Sequence, residues 1–176
     1  MEKKSFRKRC FEKMKRRMKR STYAQDKKIV KHLYVALKQK RAQTIMLYLP
    51  LKSEVNIFPL LRRLRQEKRM LYVPFMEGKS FRLVKYRLPL ENKQFGIKEP
   101  KKSNQYRKKQ IDIAIVPIVG MDVTQRRIGF GKGMYDRFFE KEKQHISQVW
   151  FVSRGLCYSS VKVTDHYDVK ADAIYV

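Results

Sequence analysis

Residues Ile111 to Phe139 read IDIAIVPIVGMDVTQRRIGFGKGMYDRFF, and three chemistries follow one another within them. The first, IDIAIVPIV, is a run of β-branched residues of the kind that fills a buried strand. The second is a loop in which Gly129, Gly131 and Gly133 alternate with Phe130 and Lys132, using three of only 7 glycines in the chain. The third, GMYDRFFEKEKQ, has helical spacing, with Asp136 in its first turn. Strand, glycine loop and helix, in that order, is how α/β proteins hold anions. A helix N-terminus points unpaired N–H groups outward, and glycines let backbone approach a phosphate. The spacing is not that of a Walker A loop, which needs four residues between its glycines and a hydroxyl after the lysine. A dinucleotide fingerprint would need glycine where Met134 stands. A flexible turn at a helix start is the plainer reading. Lys132 and the flanking Arg127 add the charges that a triphosphate would meet.

Outward from this stretch, strands and helices alternate. Helices are expected over residues 2–20 and from Tyr23 to Lys40, the second opened by a capping-box pattern at Thr22 and Gln25 and carrying Ile29, Val30, Leu33 and Leu37 on one face. SEVNIFPLLRRLRQ returns to helical spacing through Leu60, Leu61 and Leu64. QTIMLYLP, RMLYVPF, SQVWFVSR and ADAIYV read as strands, and SFRLVKYRL alternates like a strand with one exposed face. ENKQFGIKEPKKSNQYRKKQ is polar, holds Gly96 and Pro100, and reads as the longest loop. Consecutive parallel strands need crossover helices, so the expectation is one α/β domain over residues 1–176, with a mainly parallel sheet covered on both faces.

Apolar residues make up 43% of the chain, a globular composition, and no run approaches the ~18–20 that span a bilayer. The basic N-terminus lacks the apolar core of a secretory signal. Cys10 and Cys157 lie far apart without metal-site spacing and read as reduced thiols of a cytoplasmic protein. The net charge of +27 favours polyanionic partners. Yet the basic residues are spread along the chain with no aromatic RNA-binding motif among them, so nucleic-acid binding stands as the competing reading rather than the favoured one.

The segment VPIVGMDVTQRRIGFGKGMYDRFF resembles the signature of the 5-formyltetrahydrofolate cyclo-ligase (5,10-methenyltetrahydrofolate synthetase) family. Its conserved-type positions are met by Val116, Pro117, Asp122, Arg127, Gly129, Gly131, Gly133, Tyr135, Asp136 and Arg137; Arg126, Ile128 and Met134 depart from the pattern. KKSFRK, YLPLKSEVNI, FGIKEP and HYDVKADAIYV resemble other family segments, with Tyr167 in place of a histidine. The glutamine often found after the seventh strand has no counterpart where Cys157 to Ser160 stand.

The resemblance implies a three-layer α/β/α, Rossmann-like domain, working as a monomer. It implies conversion of 5-formyltetrahydrofolate, including polyglutamylated forms, to 5,10-methenyltetrahydrofolate with ATP and Mg²⁺. It places Lys3, Arg7, Arg127, Gly129, Phe130, Gly131, Lys132, Gly133, Met134 and Tyr135 at ATP, and Leu49, Glu54, Phe95 and Tyr135 at folate. Asp136 and Asp172 become the metal ligands, and no side chain is implied as a nucleophile. Taken singly, these residues also have plainer readings: Asp136 as a helix-dipole partner, Glu54 as a charge at a helix N-terminus, Asp172 as a surface carboxylate in a C-terminal turn, Phe95 as core.

Overall fold

The computed structural model describes residues 2–93, 96–101 and 110–176. The helices are α1 (Lys3–Met18), α2 (Tyr23–Gln39), α3 (Phe58–Gln66) and α4 (Met134–Glu142). The strands are β1 (Thr44–Met46), β2 (Met70–Glu77), β3 (Ser80–Lys85), β4 (Leu90–Asn92), β5 (Lys98–Pro100), β6 (Ile111–Pro117), β7 (Gly120–Asp122), β8 (Arg127–Ile128), β9 (Ile146–Val152), β10 (Tyr158–Ser159) and β11 (Ala173–Tyr175). A six-stranded sheet runs in the order β11-β9-β6-β1-β2-β3, parallel throughout except for β3, which pairs antiparallel with β2.

Strand periodicity sorts the core into two layers. On one face Ile113 and Ile115 of β6, with Ile45 of β1, Val73 of β2 and Trp150 of β9, pack against Ile29, Leu33 and Leu37 of α2 and Leu60, Leu61 and Leu64 of α3. On the other, Ala114 and Val116 join Met46, Tyr72 and Phe151 against Phe138 and Phe139 of α4. Neighbours in β6 thus serve opposite layers, which explains why that strand is apolar at nearly every position. The expected α/β/α architecture with its mainly parallel sheet is what the chain adopts.

The chain winds from β1 out to β3, returns to β6 beside β1, and continues through β9 to β11. Winding reverses between β1 and β6, and in doubly wound sheets ligands bind beyond the carboxyl ends of the strands at that point. The loop after β1 carries Glu54, and the segment after β6 leads through β7 and β8 into the glycine loop.

Three local expectations change. Thr22 makes no side-chain cap to α2; the Gln25 amide instead donates to the Arg154 carbonyl, a long-range contact no local pattern contains. The segment read as one long loop contains the antiparallel pair β4–β5 among its described residues. A small sheet, β10-β7-β8, also escaped the reading, since its strands are two or three residues long. The cysteines are a further correction: Cys10 of α1 and Cys157 after β9 form a disulfide, 1% and 2% exposed. They meet because Phe6 and Cys10 bury against Val119, Ile128 and Val163, in a third apolar cluster that packs α1 onto the small sheet. Among the described residues, no helix is long and apolar enough to cross a membrane.

Candidate active site

The three alternating glycines each make room for a guanidinium group. A Cβ on Gly129 would overlap the Arg127 head group, one on Gly131 would press on Arg7 Nη1 at 3.3 Å, and one on Gly133 would lie 2.8 Å from Arg137 Nη1. Gly131 and Gly133 also have φ of +96° and +63°, a region costly for residues with a Cβ. Arg7 Nε donates to the Gly129 carbonyl at 3.1 Å, and Arg137 donates to the Lys132 and Lys79 carbonyls. The loop is thus held by arginines from α1 and α4 while a third, Arg127, lies beneath it. Gly133 forms the N-cap of α4, so the helix's unpaired N–H groups open toward the same place.

Arg127 is 5% exposed. Its Nε lies 3.7 Å from Asp136 Oδ1, and both atoms are buried without a hydrogen-bond partner. Its guanidinium carbon sits 4.7 Å from the centre of the Tyr135 ring. Burial lowers its pKa from the ordinary value, while Asp136, Tyr135, Asp168 and Glu54 act in the opposite direction. Buried polar atoms are nearly always satisfied, so this pair at the switch point, without hydrogen-bond partners among the described residues, is a candidate place for a ligand.

Glu54 faces the same interior. Burial raises its carboxyl to about 7, against the Leu51 amide and the Arg127 and Arg154 charges, which pull it down. Burial likewise pushes the Tyr135 and Tyr48 hydroxyls well above the usual range, with Glu54 adding to both shifts. Because Glu54's folded pKa is raised, its protonated form favours the native state. That contribution is present below the unfolded value of 4.5 and is lost as pH rises through about 7. The difference of about 2.5 units corresponds to at most ~3 kcal/mol. Urea unfolding at pH 5 and pH 8 should show this loss in the wild type and not in Glu54→Gln.

The Glu54 loop is clamped at both ends. Arg154, at the end of β9, pairs with Asp26 of α2 through two hydrogen bonds of 2.7 and 2.9 Å, and donates to the Lys52 carbonyl at 3.2 Å. Asp26 also accepts the Asn56 N–H at 3.1 Å. Both members of the pair are about one-tenth exposed. Asp26→Asn would leave Arg154 buried without its counter-charge and should cost about 3 kcal/mol. It should also raise the substrate KM, as measured by urea unfolding and steady-state kinetics.

The remaining candidates divide by their contacts. Lys3 is ion-paired with Asp165 and Asp168 and stands 5.2 Å from the Tyr167 ring. Asp122, fully buried, anchors that segment by accepting from Thr124, Val163 and Thr164; these bonds outweigh burial and hold its carboxyl far below the usual range. It was legible as a motif residue, but only its five bonds reveal an organising role. Phe130 is 37% exposed, 5.5 Å from Phe11, and Lys132 is exposed. Met134 packs on the α4 side of the core, and Tyr135 stands edge-on to Phe81 at 5.0 Å. Leu49 is buried in the core beside the β1 loop. Asp172 does not share partners with Asp136: its Oδ2 accepts the Val149 N–H at 2.7 Å, extending β11. Phe95 lies outside the described residues. Between α1 and the strand ends, Cys10, Met14, Glu54, Pro117, Phe130 and Arg154 line a cleft whose enclosed space is only about 20 Å³.

A Rossmann-order sheet with a glycine loop, a helix N-terminus and a buried guanidinium at its switch point defines an α/β protein with a candidate anion site. The 5-formyltetrahydrofolate cyclo-ligase family model matches residues 1–176, and the chain belongs to that family. It is 29% identical over 155 residues to the 5-formyltetrahydrofolate cyclo-ligase of Haemophilus influenzae, covering 82% of this chain and 81% of that one. It is 29% identical over 153 residues to the enzyme of the same name from Mycoplasma pneumoniae, covering 85% and 82%. The NMR structure of Aquifex aeolicus 5,10-methenyltetrahydrofolate synthetase has a TM-score of 0.79 at 26% identity, covering 99% of this chain and 89% of that one. The chain is an enzyme, a ligase of folate metabolism.

Proposed function

We propose that this enzyme closes the imidazolinium ring of 5-formyltetrahydrofolate to give 5,10-methenyltetrahydrofolate, using ATP with magnesium, as a single-domain monomer. The observation that carries the reading is the buried Arg127, its Nε unpartnered, beneath a glycine loop at the switch point. ATP supplies a phosphoryl group that turns the formyl oxygen, a very poor leaving group, into phosphate. The chain's own task is then positioning and charge neutralisation. The backbone of Gly129, Gly131 and Gly133 and the N–H groups opening α4 offer donors to phosphate oxygens, with Lys132 exposed on the loop to meet their charge. Arg127 holds a fixed positive charge in a water-poor setting, where it acts more strongly than at the surface. Arg7 keeps the loop in place through the Gly129 carbonyl.

Glu54, with Tyr135 beside it, presents a carboxyl and an aromatic face to the pterin. A carboxyl raised to about 7 is able to donate as well as accept a hydrogen bond near neutrality. Among the described residues, no group of three or more His, Cys, Asp or Glu is arranged as a metal cage. Magnesium that travels with a nucleotide usually takes only one or two carboxylates, which Asp136 with its unpartnered Oδ1 fits. Asp172 serves the β9 backbone instead.

The test is absorbance in the methenyltetrahydrofolate band with purified protein, 5-formyltetrahydrofolate and Mg²⁺, with and without ATP. An ATP-dependent rise is expected; no rise from folded protein would overturn the proposal.

A further inference from the structure

The end of the sheet opposite the cleft carries a second feature, unrelated to the cyclisation chemistry. A concavity of about 470 Å³ lies where α3 ends and β2 begins, lined by Arg65, Lys68, Arg69, Lys85 and Arg87 with Leu71, Tyr86 and Leu88. Among the described residues, five of the eight that line it are cations and none is an acid. A second concavity of about 590 Å³ lies at the starts of β1, β6 and β9, with Lys40 and Arg41 on its rim. The two adjoin: Arg69 Nη1 donates to the Ala42 carbonyl at 2.7 Å, and the Met70 N–H to the Gln43 carbonyl at 2.8 Å.

The few acids here are already engaged. Asp112 Oδ2 accepts the Gln43 and Thr44 N–H groups at 2.7 and 2.9 Å. Glu67 is paired with Arg69 at 2.9 Å and accepts from the Tyr34 hydroxyl at 2.6 Å. Arg69 is thereby a structural residue. Arg65, Lys68 and Arg87 are exposed and, among the described residues, carry no ion pair. Leu88, 51% exposed, adds an apolar surface to the rim. The trough crosses β9, β6, β1, β2 and β3, and four spacings of about 4.8 Å make it roughly 19 Å long.

We infer that this trough binds the phosphate backbone of a single-stranded RNA. An elongated concave surface with unpartnered cations along it matches a chain of evenly spaced negative charges, and the exposed apolar rim gives an unstacked base somewhere to rest. The position is remote from the cleft, so RNA and folate would bind independently.

The test measures anisotropy of a fluorescein-labelled 12-nucleotide oligouridylate from 50 to 300 mM salt. Wild-type protein should bind with a log–log salt slope of about −2, from about three phosphates neutralised by Arg65, Lys68 and Arg87 at ~0.7 each. Arg65→Glu/Lys68→Glu/Arg87→Glu should weaken binding at least tenfold. Lys8→Glu/Lys13→Glu/Lys15→Glu makes the same change in net charge on the exposed side of α1 and should weaken it less than threefold. Turnover of 5-formyltetrahydrofolate by each variant reports that it is folded, and Lys68→Glu alone, with an expected threefold loss, replaces a triple variant that does not fold. Equal weakening by both triple variants would overturn the site, because net charge alone would then explain binding. So would absence of wild-type binding, or full displacement of the RNA by tripolyphosphate at equal phosphate concentration, which would mark a small-anion site.

Discussion

Arg127→Met should lower turnover at least a thousandfold, about 4 kcal/mol in the barrier. The charge it removes is 5% exposed, and its Nε is paired with nothing closer than Asp136 at 3.7 Å. Removing one positioned donor from a charge-stabilising site costs roughly 10²–10³ in rate, and removing a guanidinium that meets a transferring phosphoryl costs about 10³–10⁵. The same substitution leaves Asp136, 19% exposed with its Oδ1 buried, without its counter-charge, so stability should fall by up to about 3 kcal/mol as well. The double variant Arg127→Met/Asp136→Asn separates the effects. Stability measured in urea should recover most of that loss, because no uncompensated charge is left behind. Turnover should not recover, and should stay well below that of Asp136→Asn alone, which loses the proposed magnesium ligand but keeps the cation. A double variant that regained activity would show that Arg127 acts only on folding.

Reducing the Cys10–Cys157 disulfide should move stability and activity in opposite directions. The bond joins residues 147 apart, and in the chain-entropy account a closed loop of that size is worth about 5 kcal/mol. Dithiothreitol should therefore lower the melting temperature of the wild type, and leave Cys10→Ser/Cys157→Ser unaffected. Activity should rise. The cleft under α1 encloses about 20 Å³, room for about one water, whereas small-molecule sites usually offer about 300 Å³ or more. A substrate entering by this cleft would have to displace α1, which Cys10 fixes near its middle. Freed of that bond, the helix is still held by Phe6 in its apolar cluster, by Arg7 on Gly129 and by Lys3 on Asp165 and Asp168. Unchanged turnover on reduction would make the disulfide a stabilising tie with no part in access.

Much of the fold was legible because its signals are local. The alternation in Ile111–Pro117 contains the division of the core into two layers, and the stripe Ile29, Leu33, Leu37 contains the face of α2. The glycine loop and Arg127 stood out for the same reason, since loop, charge and helix start lie within a dozen residues. Elements of two or three residues, such as β7, β8 and β10, left no periodic pattern to read.

The sequence by itself therefore determined an α/β chain with a mainly parallel sheet, a glycine loop before α4, and the family to which these belong. Tertiary structure alone decided what the glycines accommodate: guanidinium groups arriving from Arg7, 122 positions before Gly129, as well as from Arg127 of β8 and Arg137 of α4. It alone made a disulfide of two cysteines that read as separate thiols. It alone clamped the Glu54 loop with the Asp26–Arg154 pair, whose members lie 128 residues apart, and raised the Glu54 carboxyl toward neutrality. The physical reason is the range of the forces. Backbone preference and hydrophobic periodicity act over a few residues, while burial, ion pairing and pKa depend on which distant segments the completed core brings together.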